Sequence, residues 1–144
     1  MTQRFRALLV DDDSNDRLLF RRALNKSGLG VDLIEAIDGS AGINYLLGKE
    51  RFGNRAKFPF PDLVILDLKM PGTDGFDVLK EIRKTMGLQN LPVLVFTNSD
   101  CKEDAAKAYS SHASAFHQKP FEADQLANLL QEVIPLWLNS SPDH

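Results

Sequence analysis

The chain has 144 residues, 43% of them hydrophobic and 26% charged, which is enough apolar material for one compact core and argues against a disordered or fibrous chain. Its 17 basic and 20 acidic side chains leave a net charge of −3 with no basic block, so nucleic acid is not an expected direct partner. A lone Cys101, an N-terminus without a signal-peptide core, and no apolar run approaching the roughly 18 residues of a membrane span make the cytoplasm the expected location.

Phe5 to Val10 ends in the apolar run Ala7-Leu8-Leu9-Val10 and then meets Asp11-Asp12-Asp13, as a strand buried on both faces of a parallel sheet would. Ser14 is the expected helix N-cap, and the helix carries Leu19/Ala23 and Phe20/Leu24 at i,i+4 spacing until Ser27-Gly28 stops it. Val31 to Glu35 reads as a second, weaker strand, followed by a helix from Gly39-Ser40 that fades at Gly48. The connection Gly48 to Pro61 is longer than such units need, and is read either as an excursion or as part of a lengthened second helix.

Leu63-Val64-Ile65-Leu66 is the clearest central strand and ends in Asp67; a Met70-Pro71-Gly72 turn and a helix from Asp74 to Met86 follow it. Leu91 to Phe96 is a fourth strand ending in Thr97, with a helix from about Lys102 to Tyr109. Ser114 to Gln118 is a short fifth strand ending at Lys119-Pro120, and a closing helix runs from about Glu122 to Ile134. Five strands alternating with five helices predict a doubly wound α/β domain, a parallel sheet with helices on both faces. The whole chain, 1–144, is expected to be one domain with its core at about 5–134 and a tail at 135–144. Only ten residues follow Ile134, so no attached output domain is expected.

In open α/β sheets, ligands bind outside the carboxyl ends of the strands. The strand ends here carry Asp11-Asp12, Asp67, Thr97 and Lys119. Three crowded carboxylates repel one another and call for a cation, and an oxygen-rich site with room for water suits Mg2+. A carboxylate nucleophile, a metal, an ammonium and a hydroxyl are the parts phosphoryl transfer needs.

The motifs Leu8-Leu9-Val10-Asp11-Asp12, Leu66-Asp67-Leu68-Lys69-Met70-Pro71-Gly72-Thr73-Asp74-Gly75, Phe96-Thr97 and Lys119-Pro120 resemble, in order and spacing, the signature of bacterial two-component response-regulator receiver domains. The resemblance implies the flavodoxin-like strand order 2-1-3-4-5 and a signalling protein that catalyses only its own phosphotransfer and autodephosphorylation. It makes Asp67 the phosphoacceptor and places Mg2+ (or Mn2+) on Asp12, Asp67 and the Lys69 backbone carbonyl, with Asp11 in the outer shell. Lys119 and Thr97 would each hold a phosphoryl oxygen, the Lys119–Pro120 bond would be cis, and Phe116 would be the aromatic that turns when Thr97 moves. Lys69 and Ser99 fall at positions that tune phosphoryl lifetime in this family.

The long Gly48–Pro61 connection and the Pro-Leu-Trp-Leu tail resemble the small receivers that work beside phytochromes and other sensor histidine kinases. The expected partners are therefore such a kinase, phytochrome-type sensors included, and a phosphotransfer protein. Pro135 should kink the chain and present Leu136, Trp137 and Leu138, with a homodimer formed around Trp137 as the result. The competing reading has Trp137 sealing its own domain.

Two alternatives stand beside the receiver. A haloacid-dehalogenase-type phosphatase would use Asp11-Asp12-Asp13 and Thr97, but lacks an acidic pair after Lys119 and leaves Asp67 without a task. A phosphorylation-independent binding module would leave the set of chemical residues unused. An FMN binder is weaker still, because the loop after the first strand is acidic where a phosphate cradle should be neutral. His112 and His117 have no partner at ligand spacing and are assigned to surface or loop roles, and Cys101 to a reduced thiol near a helix start. Arg17, Arg21 and Arg22 read as a solvated basic face of the first helix.

Overall fold

The strands with continuous apolar sequence occupy the middle of the sheet, and those with mixed sequence lie at its edges. In the computed structural model, which describes residues 5–70, 73–85, 88–97 and 102–138, five parallel strands run in the order β2-β1-β3-β4-β5. They are β1 (Phe5–Val10), β2 (Val31–Ala36), β3 (Leu63–Asp67), β4 (Val93–Thr97) and β5 (Ala115–Gln118). Every residue of β3 and β4 is buried, whereas β2 and β5 each expose positions to solvent, as edge strands do. The five helices are α1 (Ser14–Ser27), α2 (Gly39–Leu47), α3 (Gly75–Lys84), α4 (Lys102–Ser110) and α5 (Ala123–Leu138).

Alternate residues of each central strand feed two separate cores. Ala7, Leu9, Leu63, Ile65, Leu94 and Phe96 face Phe20 and Ala23 of α1 and Leu126 and Leu130 of α5. Leu8, Val10, Val64, Leu66, Val93 and Val95 face the other side, where Tyr45, Leu79, Ile82 and Ala108 cover them. Full burial of each such side chain contributes about 2 kcal/mol before entropy is counted, so the central strands are the most firmly held part of the sheet.

Several details differ from the sequence-based expectation. Asp13, not Ser14, caps α1: its Oδ1 accepts the Asn15 N–H at 2.8 Å, and a carboxylate suits the positive end of a helix. Gly48 to Pro61 is an excursion and not an extension of α2, which stops in a left-handed Gly48 (φ 66°). A short 3-10 turn, Glu50–Gly53, brings Phe52 and Phe58 against Tyr45, and the Tyr45 hydroxyl donates to the Pro59 carbonyl at 2.8 Å. A two-residue antiparallel pairing of Lys69–Met70 with Thr73–Asp74, absent from the expectation, closes the chain between β3 and α3. The Pro71-Gly72 part of that turn, Met86, Ser99 and Cys101 lie outside the described residues.

Pro135 does not kink the chain as expected; α5 runs through it to Leu138. Ile134 is buried, and Trp137 and Leu138 pack partly onto the core, so tertiary contact outweighs the roughly 3 kcal/mol that a helical proline costs. Leu136 points away and is 68% exposed. The Lys119–Pro120 bond is likewise trans, since no cis peptide occurs among the described residues. The isomers of an X–Pro bond differ by only about 0.5–1 kcal/mol, so local packing decides between them.

Candidate functional site

β1 and β3 are neighbours in the sheet, but their outgoing connections pass to opposite faces. The carboxyl ends of these strands therefore open on a crevice. Asp67 closes β3 and Asp11 directly follows β1, so the ladder that pairs Val10 with Leu66 brings the two carboxylates to the same rim. Oxygens of Asp11, Asp12 and Asp67 lie within 4.8 Å of one another.

On the other side of β3, Thr97 ends β4, and its carbonyl accepts the Lys119 N–H at 2.7 Å. Extension of the β4–β5 ladder thus places the lysine beside the threonine. Apart from Ser27, the buried polar residues among the described residues are Asp11, Asp67, Thr97 and Lys119, and with Asp12 they form one group at one edge. These are the positions at which the sequence predicted chemistry. Lys69 lies two residues past Asp67 in the short antiparallel pair, and Phe116 lies on β5, half-buried against the core on the α4 side. The Phe116 N–H donates to the Tyr109 hydroxyl of α4 at 3.2 Å, a direct tie between helix and edge strand.

The electrostatics are strained in the direction a cation would relieve. Burial pushes the Asp11 carboxyl up to about 6, and the Asp67 and Asp16 charges add to the rise, while the Asp13 N–H and Lys119 oppose it. Asp11 Oδ1 accepts the Asp13 N–H at 2.9 Å, whereas its buried Oδ2 has no hydrogen-bond donor and stands 3.6 Å from Lys119 Nζ. Burial alone would lower the Lys119 ammonium, but its hydrogen bond to Asp16 and the charges of Asp11 and Asp67 outweigh that and raise it. An all-carboxylate donor set with one oxygen left unsatisfied fits a hard divalent cation such as Mg2+ or Mn2+.

One residue of this neighbourhood escaped the sequence reading, and another, Arg17, departs from it. Asp16, in the first turn of α1, holds Lys119 Nζ at 2.5 Å. Arg17 donates to the Asp11 carbonyl at 2.9 Å and pairs with Glu35 at 3.2 Å, and Arg21 reaches the same Glu35 at 2.7 Å. The basic face of α1 is therefore partly committed to β2 and to the acidic loop, and only Arg22 of the three fits the solvated expectation in full. The one signal for Asp16 was an acidic residue three positions after a capping aspartate, which reads equally well as helix-dipole compensation. His112 lies in an exposed loop as expected, but His117 does not: its ring packs 5.3 Å from Phe96, and burial lowers its basicity.

The chain matches the response regulator receiver domain over residues 7–131. It belongs to that family. Among relatives of this receiver, the probable methanogenesis regulatory protein FilR2 of Methanothrix harundinacea is 34% identical over 140 residues, which span 96% of this chain and 88% of FilR2. The response regulator Rcp1 of Synechocystis is 32% identical over 92% of this chain and 88% of its own. The crystal structure of Rcp1 with Mn2+ bound superposes with a TM-score of 0.80 at 31% identity, covering 95% of this chain and 96% of that one. The phosphorylated cyanobacterial phytochrome response regulator RcpA superposes with a TM-score of 0.85 at 28% identity, over 98% of this receiver and 100% of that chain. The receiver assignment leaves the phosphatase reading without support. No helix among the described residues is long and apolar enough to cross a membrane.

Proposed function

We propose that this receiver takes a phosphoryl group from a sensor histidine kinase onto Asp67 in a Mg2+-dependent reaction, and that the modification switches a partner-binding surface. The observation that carries this reading is the convergence of the Asp11, Asp12 and Asp67 carboxylates within 4.8 Å, beside the buried Lys119.

An Asp67 carboxylate oxygen is the nucleophile: it forms the new bond to phosphorus as the bond from phosphorus to the histidine nitrogen breaks, and the electron pair leaves with the imidazole. Lys119 neutralises a phosphoryl oxygen, and the Thr97 hydroxyl donates to another. Asp12, Asp67 and the Lys69 carbonyl would hold the metal, with Asp11 acting through water. The ion supplies charge neutralisation for the approaching phosphoryl oxygens.

As Thr97 turns toward the phosphoryl group, Phe116 turns inward. Its strand is tied to Tyr109 of α4, so the α4–β5 surface changes with it. A differential energy of about 1.4 kcal/mol is enough to change such a two-state ratio tenfold.

The likeness to Rcp1 and RcpA, the latter named as a phytochrome response regulator, supports a phytochrome-type sensor kinase as the phosphodonor, with a phosphotransfer protein as a further partner. The reading includes a cytoplasmic location and a homodimer formed at the end of α5, where exposed Leu136 adjoins Trp137. Incubation with Mg2+ and acetyl phosphate tests the chemistry. An acyl phosphate on Asp67 supports the receiver reading; sustained release of phosphate over many turnovers, or no modification at all, would overturn it.

A further inference from the structure

Lys119 is 2% exposed, and its ammonium sits between two carboxylates at unequal distances. Asp16 Oδ2 is in short hydrogen-bond contact at 2.5 Å, whereas Asp11 Oδ2 is at 3.6 Å, beyond hydrogen-bond range. The cation that would serve an incoming phosphoryl group is therefore hydrogen-bonded on the α1 side and only ion-paired, at longer range, with the carboxylate cluster. Asp16 and Lys119 are 103 residues apart in sequence, so only the fold brings them together.

The two partners differ in their access to water. Lys119 is enclosed and cannot exchange Asp16 for solvent, so another anion inside the crevice is the partner that could take it. Asp16 keeps 22% of its side chain exposed, so when released it is rehydrated at small cost. An ammonium also has three donors, and surrendering one bond does not require the side chain to leave the site.

We propose that Asp16 is a positioning residue for the phosphotransfer site: a releasable counter-ion that holds Lys119 until a phosphoryl oxygen on Asp67 displaces it. This rests on the reading of Asp67 as the phosphoacceptor. Asp16 thereby opposes the phosphorylated state, because the new Lys119 contact forms only at the expense of the old one. The side chain touches neither phosphoryl group nor metal ligand set; it acts through Lys119.

The test uses the full chain and beryllofluoride, a phosphoryl mimic, titrated at saturating Mg2+ by calorimetry. Asp16→Asn keeps the size of the side chain but removes the charge that holds the ammonium, leaving only a weaker neutral acceptor, and should bind beryllofluoride about tenfold more tightly than wild type, the scale of losing the charge assistance of that bond. Asp16→Glu, which keeps the carboxylate, should stay near wild type. A merely structural Asp16 would lower folding stability without tightening the complex. Beryllofluoride affinity of Asp16→Asn that is unchanged or weaker therefore overturns the proposal.

A second measurement needs no variant. The Lys119 ammonium nitrogen resonance of wild type should shift when beryllofluoride binds, and a resonance that does not move overturns the proposal as well. Wild-type protein that binds no beryllofluoride at all would instead overturn the assignment of Asp67, which keeps the two failures distinct.

Discussion

Gly75, the first residue of α3, is pressed against the backbone that carries Asp67: a Cβ there would stand 2.6 Å from the Asp67 carbonyl oxygen and 2.5 Å from the Leu68 Cα. Backbone atoms cannot step aside by changing rotamer, so any side chain at this position must move either α3 or the Asp67–Leu68 segment. Gly75→Ala is expected to cost roughly 1–3 kcal/mol of stability and to weaken Mg2+ binding by displacing Asp67. Urea unfolding and a metal titration check both effects; a variant that matches wild type in each would show that the contact is not tight.

Asp11 makes the metal-free site costly. Its carboxyl is held near 6 in the folded chain against 3.8 ordinarily, so between those pH values the folded state keeps a proton that the unfolded state has lost. Stability contributed by this group is therefore present at low pH and is lost as pH rises through about 6, a penalty on the order of 2–3 kcal/mol. Asp11→Asn, whose amide oxygen can still accept the Asp13 N–H, should be more stable than metal-free wild type at pH 7, with the gap shrinking toward pH 4. Saturating Mg2+ should narrow that gap at pH 7. Denaturation curves at several pH values would contradict this if the variant were less stable throughout.

A third expectation lies at the opposite edge of the sheet. The Arg83 guanidinium of α3 donates to the carbonyls of Leu91 at 2.7 Å, His112 at 2.9 Å and Leu88 at 3.1 Å, fastening together the segments that enter β4 and β5. Arg83→Met removes these donors and is expected to cost on the order of 2–4 kcal/mol, with Mg2+ affinity unchanged because the site is at the other end of the strands. Thermal unfolding with a parallel metal titration separates the two effects, and a loss of metal affinity at unchanged stability would be the wrong pattern.

The sequence made the central strands and the polar cluster at their ends legible for the same reason. Runs such as Leu63–Leu66 are apolar on both faces, so the first polar residue after each run, Asp11, Asp67 or Thr97, marks the sheet edge. What could not be read depended on distance in space. Asp13 and Ser14 are both good caps, and only the observed bond to Asn15 chooses between them. Asp16 meets the strand-end cluster only through a lysine 103 positions away. Pro135 carries a strong local signal for a break, which the packing of Ile134, Trp137 and Leu138 overrides.

That override alters the test of assembly at the end of α5. Trp137 packs partly on its own core, so Trp137→Ala alone would confuse lost stability with lost association. Leu136, 68% exposed, is the cleaner probe. Sedimentation should show a dimer for wild type at high micromolar concentration and a monomer for Leu136→Asp, with the two equally stable to within about 0.5 kcal/mol, as surface substitutions usually are. A monomeric wild type would remove the interface.

The central claim is that Asp67 accepts the phosphoryl group. Asp67→Asn keeps the shape of the side chain but lacks the anionic nucleophile, so it should fold as wild type does and remain unmodified. Intact-mass measurement after incubation with Mg2+ and acetyl phosphate is the most direct test: the account predicts one added phosphoryl group on wild type and none on Asp67→Asn, and full phosphoryl uptake by the variant would contradict it.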